Sequence, residues 1–109
     1  MVGVEGFLEL DIRVGRIVEV RPHEQARKPM YVLKVDLGAE IGMRSIVAGI
    51  RGHYTEEQLL GREVVCIANL DPKMIAGVES QGMLLACEDK EGIALLMPDR
   101  KLEPGSRIR

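Results

Sequence analysis

Side chains that could bind phosphate are concentrated between residues 21 and 29. Arg21, Arg27 and Lys28 supply three cations there, and His23 adds an imidazole. Guanidinium and ammonium groups are the side chains that proteins place against nucleic-acid phosphates, and an imidazole can add a hydrogen bond or a charge at lower pH. The alternative is an ordinary solvated loop stiffened by its two prolines, because charged surface loops are common.

A second polar segment, residues 69–83, offers a different set of groups. Asn69 has an amide that can bind a base edge or a ribose 2′-hydroxyl, Ser80 has a hydroxyl, and Lys73 is the single cation. Three apolar side chains could pack against a nucleotide or a peptide: Met74, Ile75 and Met83. Core methionines and turn residues are the alternative, but long ordered loops commonly have a function.

The sequence lacks the residue patterns of a catalytic or metal site. His23 and His53 are the only histidines, and no serine lies in a Gly-x-Ser-x-Gly turn. Cys66 and Cys87 form no Cys-x-x-Cys pair, and both lie in apolar runs, which predicts two buried thiols. We therefore predict a binding protein that is not an enzyme and that has no metal and no cofactor.

Composition limits the binding modes that this chain can use. The 109 residues predict one domain over 1–109, and 46% of them are hydrophobic. The net charge of −2 excludes a uniformly basic coat, and 3% aromatic residues exclude a surface that stacks bases on several rings. Residues 21–62 nevertheless carry seven basic and five acidic side chains, which leaves room for a local cationic patch.

The same residues carry no sign of a membrane or an export route. No apolar run approaches the ~20 residues of a membrane span, and the first residues lack the pattern of a signal peptide. Together with the unpaired cysteines, this predicts a cytoplasmic protein without a membrane partner.

Short β-strands must position the two polar segments. Thr55 and Gln58 form a capping box that predicts one short helix, and Gly15 indicates a bulge or tight bend in the first strand. Three strands, a helix and two strands are typical of an all-β, five-stranded OB-fold (oligonucleotide/oligosaccharide-binding) barrel, with the helix between strands three and four. Apolar or alternating runs predict strands at 12–20, 30–37, 43–50, 63–70, 82–87 and 93–97.

The barrel topology makes two further predictions. It places the loop between the first two strands beside the loop between the last two, so the two polar segments should adjoin. The sixth apolar strand, 93–97, has no place in a five-stranded barrel. We therefore predict a C-terminal arm that forms a homodimer interface, together with Phe7 and Leu8.

Several motifs in combination resemble the tRNA-binding domain family. That family includes the C-terminal domain of methionyl-tRNA synthetases, its free-standing homologues and the EMAP-II-like domain. The resemblance spans nearly the whole chain and rests on Phe7-x-x-x-Asp11-Ile12-Arg13-Val14-Gly15-x-Ile17, Val35-Asp36-Leu37-Gly38, Ala48-Gly49-Ile50, Asn69-Leu70-x-Pro72-Lys73-x-x-x-Gly77-x-x-Ser80-x-Gly82-Met83, Leu95-x-x-Pro98-Asp99 and Pro104-Gly105-Ser106.

The resemblance implies an OB-fold that dimerises through its terminal arms and binds the outside corner of tRNA by shape rather than sequence. It implies methionyl-tRNA synthetase as a partner. One departure is the segment after Pro72, where the family has an Arg-Lys-x-Arg-Gly type of run and this chain keeps only Lys73. The predicted RNA contacts are Arg21, Arg27, Lys28, Asn69, Lys73, Ser80 and Met83.

Other segments resemble the CsaA-type export chaperones, a peptide-binding branch of the same family. They are residues 24–31, 40–42 and 74–77. This resemblance implies an alternative ligand, unfolded peptide, in an apolar groove lined by Tyr31, Met74, Ile75 and Met83. A module that only dimerises is a third possibility.

Overall fold

The computed structural model describes residues 1–109, which form nine strands and three very short helices. The helices are α1 (Val4–Leu8), α2 (Gly38–Ile41) and α3 (Glu56–Leu59). The strands are β1 (Ile12–Pro22), β2 (Tyr31–Asp36), β3 (Met43–Ala48), β4 (Glu63–Ile67), β5 (Lys73–Ile75), β6 (Val78–Ser80), β7 (Met83–Leu84), β8 (Ala86–Asp89) and β9 (Gly92–Leu95).

Five of the strands form an antiparallel sheet that curls into a nearly closed barrel, which confirms the predicted fold class. The spatial order is β3-β2-β1-β4-β7. β1 pairs with both β2 and β4, and its register with β2 shifts between Ile17 and Glu19. The bend predicted at Gly15 falls nearby: a Cβ there would lie 2.6 Å from a Val35 methyl group, so only glycine fits beside β2.

The barrel closes where β3 meets the end of β6, and side chains complete this seam. The backbone N–H of Gln81 donates to the Ser45 carbonyl at 2.7 Å. The side-chain oxygen of Gln81 accepts from the backbone N–H of Ser45 at 3.0 Å. The Ser80 hydroxyl oxygen accepts from the Val47 N–H at 3.0 Å. These bonds satisfy β3 edge groups that would otherwise lack partners.

Aliphatic side chains fill the barrel, as the scarcity of aromatic residues predicts. Leu33, Val35 and Ile17 are fully buried at its centre. Cys66 is buried among them, and desolvation raises the pKa of its thiol to about 12. The prediction of a buried Cys87 is wrong, because β8 leaves the barrel and exposes this residue.

The predicted helix between β3 and β4 is confirmed. In α3, the Thr55 hydroxyl accepts from the Gln58 N–H and the Gln58 side chain accepts from the Thr55 N–H, so the capping box is complete. α1 was not predicted from the sequence, and α2 forms one helical turn between β2 and β3. None of these helices has the length and apolar character needed to cross a membrane.

The second half of the chain differs most from the prediction. Residues 71–81, expected to be a loop, contain the β5–β6 hairpin. The strand expected over 82–87 divides into β7 in the barrel and β8 outside it. The spare apolar strand is β9, which pairs with β8 in a separate hairpin.

A buried arginine connects the beginning of β1 to two other parts of the chain. The Arg13 guanidinium donates to Asp11 at 2.6 Å, to Glu40 in α2 at 2.7 Å and to the Gly105 carbonyl at 3.1 Å. These hydrogen bonds lower the pKa of both carboxyl groups and raise that of Arg13. The C-terminal segment is further held on β1 by a 2.8 Å bond from the Val14 N–H to the Ser106 carbonyl.

Candidate nucleic-acid interface

The two polar segments adjoin, as predicted, and a histidine joins them. His23 follows β1, is 2% exposed, and its Nε2 lies 2.8 Å from the Ile75 carbonyl oxygen of β5. Because a carbonyl only accepts, Nε2 carries the proton in this bond. The backbone N–H of His23 also donates to the Met30 carbonyl at 2.9 Å, which fixes the base of the 23–30 loop. The loop and the β5–β6 hairpin therefore form one continuous surface.

Four cations project from this surface without acidic partners. Arg21, Arg27 and Lys28 from the first segment and Lys73 from the hairpin are all exposed. The ion pairs of the molecule involve other cations, namely Arg13, Arg16 and Lys34. Because no carboxylate neutralises these four side chains directly, their donors are available to an anionic ligand.

The polar groups of Ser80 and Asn69, two of the predicted contact residues, are hydrogen-bonded within the protein. Ser80 is 4% exposed, and its hydroxyl accepts from the Val47 N–H and lies 3.4 Å from the Gly82 carbonyl. The Asn69 side chain accepts from the Asp11 N–H and donates to the Glu9 carbonyl, both at 2.8 Å. The sequence pointed to both residues as polar contacts for a ligand. It did not reveal that their polar groups form hydrogen bonds within the protein.

The apolar residues predicted for a peptide groove divide into two groups. Met74 and Met83 are 62% and 46% exposed, and Ile75 is half-buried. Tyr31 is 5% exposed, packs in the core and donates its hydroxyl proton to the Tyr54 carbonyl at 2.8 Å. The prediction that Tyr31 lines an exposed groove is therefore wrong.

The outer face of β1, β2 and β3 adds polar residues to the candidate interface that were not predicted from the sequence. A depression of about 390 Å³ there is lined by Arg21 and by Lys34, Glu19 and Ser45. Lys34 and Glu19 are exposed and lie 3.6 Å apart, a spacing that contributes little to stability. The alternation of apolar and polar residues in β2 places Lys34 on the polar face of the strand. This pattern in the sequence could have predicted a cation beside the loops.

The chain is similar to proteins of known family in both sequence and fold. The family model described as "Putative tRNA binding domain" matches residues 12–107. The chain belongs to the tRNA-binding domain family. Among its relatives, the methionine–tRNA ligase of Thermococcus onnurineus is 55% identical over 105 residues, which are 96% of this chain and 14% of that ligase. The ligase of Methanosarcina acetivorans is 50% identical over 106 residues.

The chain thus spans about one seventh of the length of the ligases that it matches. Solved structures with the same fold include a chaperone and a MetRS related protein. The CsaA chaperone protein of Picrophilus torridus has a TM-score of 0.95 and 36% identity over the whole of both chains. The MetRS related protein of Pyrococcus horikoshii has a TM-score of 0.89 and 31% identity over 100% of this chain and 98% of that one.

Proposed function

We propose that this tRNA-binding domain is a non-catalytic protein that binds tRNA by its shape, as a homodimer, in support of methionyl-tRNA synthetase. The observation that carries the proposal is that four exposed cations without ion pairs lie on two segments that His23 joins. A binding domain with net charge −2 can attract RNA only through such a local patch. The similarity to methionine–tRNA ligases supports the choice of partner.

Phosphate contacts and positioning would be divided among different residues. Arg21, Arg27, Lys28 and Lys73 would bind backbone phosphates, which gives affinity without reading a sequence. Met83 would pack against an exposed nucleotide. The buried Ser80 and the bonded Asn69 would act by holding the surface in shape. Because few cations are involved, we expect modest affinity, and because phosphate contacts release counterions, this affinity should fall as salt rises.

An unpartnered apolar segment supports the homodimer. None of the residues of α1 is buried, and Val4, Phe7 and Leu8 are 65%, 38% and 67% exposed. Asn69 ties the end of this segment to the barrel, so its apolar side chains form a fixed surface. Met97 and Ile108 of the C-terminal region are also exposed, at 53% and 37%. A second copy would cover this apolar area, which a monomer would otherwise leave in water.

Filter binding or gel shift with mixed tRNAs, at two salt concentrations, tests the main proposal. We expect binding at low salt that weakens steeply as salt rises, and weaker binding to duplex DNA of equal length. Absence of binding at low salt, or equal binding to the DNA, would reject tRNA as the ligand.

Capture of unfolded peptide is the second candidate function, and two exposed methionines favour it. Met74 and Met83 lie on the candidate surface, and unbranched thioether side chains adapt to varied apolar partners. The similarity over the whole chain to a CsaA chaperone protein supports the same proposal. Aggregation of a denatured client protein should then be suppressed equally well or better at high salt, because apolar burial is not screened. Suppression that disappears at high salt would contradict apolar capture.

A further inference from the structure

A second cavity with cationic walls lies away from the candidate interface. It has a volume of about 540 Å³ and is bounded by β1, the turn at residues 61–63 and the segment 97–101. We call it the Arg62 cavity. Its lining includes four basic and two acidic side chains: Arg16, Arg62, Arg100, Lys101, Glu63 and Asp99.

Arg62 has no acceptor within the protein. Its Nε is buried without a hydrogen-bond partner, and none of the other guanidinium nitrogens makes a hydrogen bond or an ion pair. The guanidinium carbon lies 5.0 Å from the centre of the Tyr54 ring, a stacking distance that holds the group in place. A partly buried guanidinium with unused donors is costly unless something outside the chain accepts from it.

The two acidic side chains balance only part of the positive charge of this cavity. Both Glu63 carboxylate oxygens accept from the Leu102 N–H, at 3.1 and 3.3 Å, and one lies 3.7 Å from Arg16. Arg100 makes only a 3.4 Å contact with a neighbouring carbonyl, and Lys101 makes no bond to a side chain. With Glu63 already partnered, Asp99 is the one acid left against the remaining cations.

We propose that the Arg62 cavity binds a phosphate group. Planar guanidinium groups donate in pairs to phosphate oxygens, and an ammonium adds a charge-assisted bond. None of the residues that line this cavity belongs to the loop surface or to the depression beside it, so the two sites are lined by different residues. The phosphate belongs either to the backbone of a bound RNA, which rests on the function proposed above, or to a small phosphate monoester in solution.

The proposal is tested by titrating the 109-residue chain with inorganic phosphate, with ionic strength held constant by chloride, and following ¹H–¹⁵N NMR spectra. We expect a saturable shift of the Arg62 Nε–H signal and of the Gly61 and Arg62 amides. The variant Lys101→Gln, which alters only an exposed side chain, should weaken the fitted phosphate affinity roughly tenfold, the equivalent of ~1.4 kcal/mol. Lys90→Gln, an exposed change in the turn of the β8–β9 hairpin, is the matched control and should leave it unchanged.

The proposal is overturned if the Arg62 signals do not saturate, or if all exposed arginines shift alike. It is also overturned if Lys101→Gln and Arg62→Gln, each with a spectrum showing an intact fold, bind phosphate as the original chain does. Filter binding of tRNA to Lys101→Gln then shows whether the phosphate belongs to RNA or to a small molecule. A reduced salt slope assigns the phosphate to RNA, and an unchanged slope assigns it to a small molecule. A chain that binds phosphate in the cavity but binds no tRNA would refute the proposed function and not this site.

Discussion

The Ser80 hydroxyl is the acceptor for the Val47 amide at the seam that closes the barrel. Replacing it in Ser80→Ala leaves a peptide N–H without its partner at a buried position, so we expect a loss of ~1–3 kcal/mol in the free energy of unfolding. Urea denaturation measures this loss. The matched control is Ser106→Ala, whose hydroxyl donates to the Glu103 carbonyl at an exposed position, and it should change stability by less than ~0.5 kcal/mol. Equal stability of Ser80→Ala and the original chain would contradict the structural role.

Substitution of the exposed cations should change how tRNA binding depends on salt and should not change stability. Each of Arg27→Gln and Lys73→Gln removes one proposed phosphate contact, so each should lower the slope of log binding constant against log salt by about 0.7–0.9. Filter binding of tRNA at several salt concentrations measures the slope. Lys90→Gln, an exposed change in the turn of the β8–β9 hairpin, serves as the control. Slopes that fall equally for all three variants would show that only overall charge matters.

At the scale of elements, the His23 side chain fixes the β5–β6 hairpin against the 23–30 loop. His23→Leu keeps an apolar volume but removes the donor to Ile75, so the hairpin amides should exchange with solvent faster while those of β2 do not change. Weaker tRNA binding should accompany this loss, because ordering the hairpin then opposes binding. Hydrogen–deuterium exchange measures the first effect. The other histidine, His53, is exposed, and His53→Leu is the control that should leave the hairpin unaffected.

The elements also show how far the sequence determines what can be predicted. β2 was predicted within one residue at each end, because alternating apolar residues indicate a strand with one buried face. The same alternation puts Tyr31 on the face of Leu33, so its burial was foreseeable and the groove assignment conflicted with it. The β5–β6 hairpin was missed because its residues are mainly exposed and lack an apolar period. Ser80 was recognised as polar, but its partner on β3 is distant in sequence and no local pattern reveals it.

At the scale of the whole molecule, the contacts of Arg13 join β1, α2 and the C-terminal segment. Hydrogen bonds from Arg13 lower the pKa of Asp11 and Glu40 in the folded state. A carboxyl group with a lowered folded pKa stabilises the fold above its unfolded pKa of ~4, and this contribution is lost as pH falls through the folded value. Urea denaturation from pH 7 to pH 2 should therefore show stability falling in acid.

Asp11→Asn tests this linkage. It should be less stable than the original chain at pH 7, and its stability should depend less on pH below ~4, because one of the two linked groups is gone. Asp71→Asn, at an exposed aspartate without an ion pair, is the control. Parallel pH profiles for Asp11→Asn and the original chain would show that Arg13 does not link acid titration to folding.

Assembly provides the last prediction at this scale. If a second copy covers the apolar surface of α1, Leu8→Glu should place a charge in a dry interface and convert the dimer to a monomer at micromolar concentration. The monomer should remain folded, because Leu8 is 67% exposed and contributes little to the barrel. Sedimentation measures the mass, and the melting temperature of the original chain should rise with concentration while that of the variant does not.

Leu60→Glu is the matched control for Leu8→Glu, since Leu60 is 60% exposed at the end of α3, and it should leave the dimer intact.

Two copies would also carry two sets of loop cations, so a dimer bound through both should hold tRNA more tightly than a monomer bound through one. Leu8→Glu should therefore weaken tRNA binding although it touches none of the proposed phosphate contacts. A monomeric original chain would contradict the dimer directly, and unchanged tRNA affinity in a monomeric variant would show that one barrel suffices.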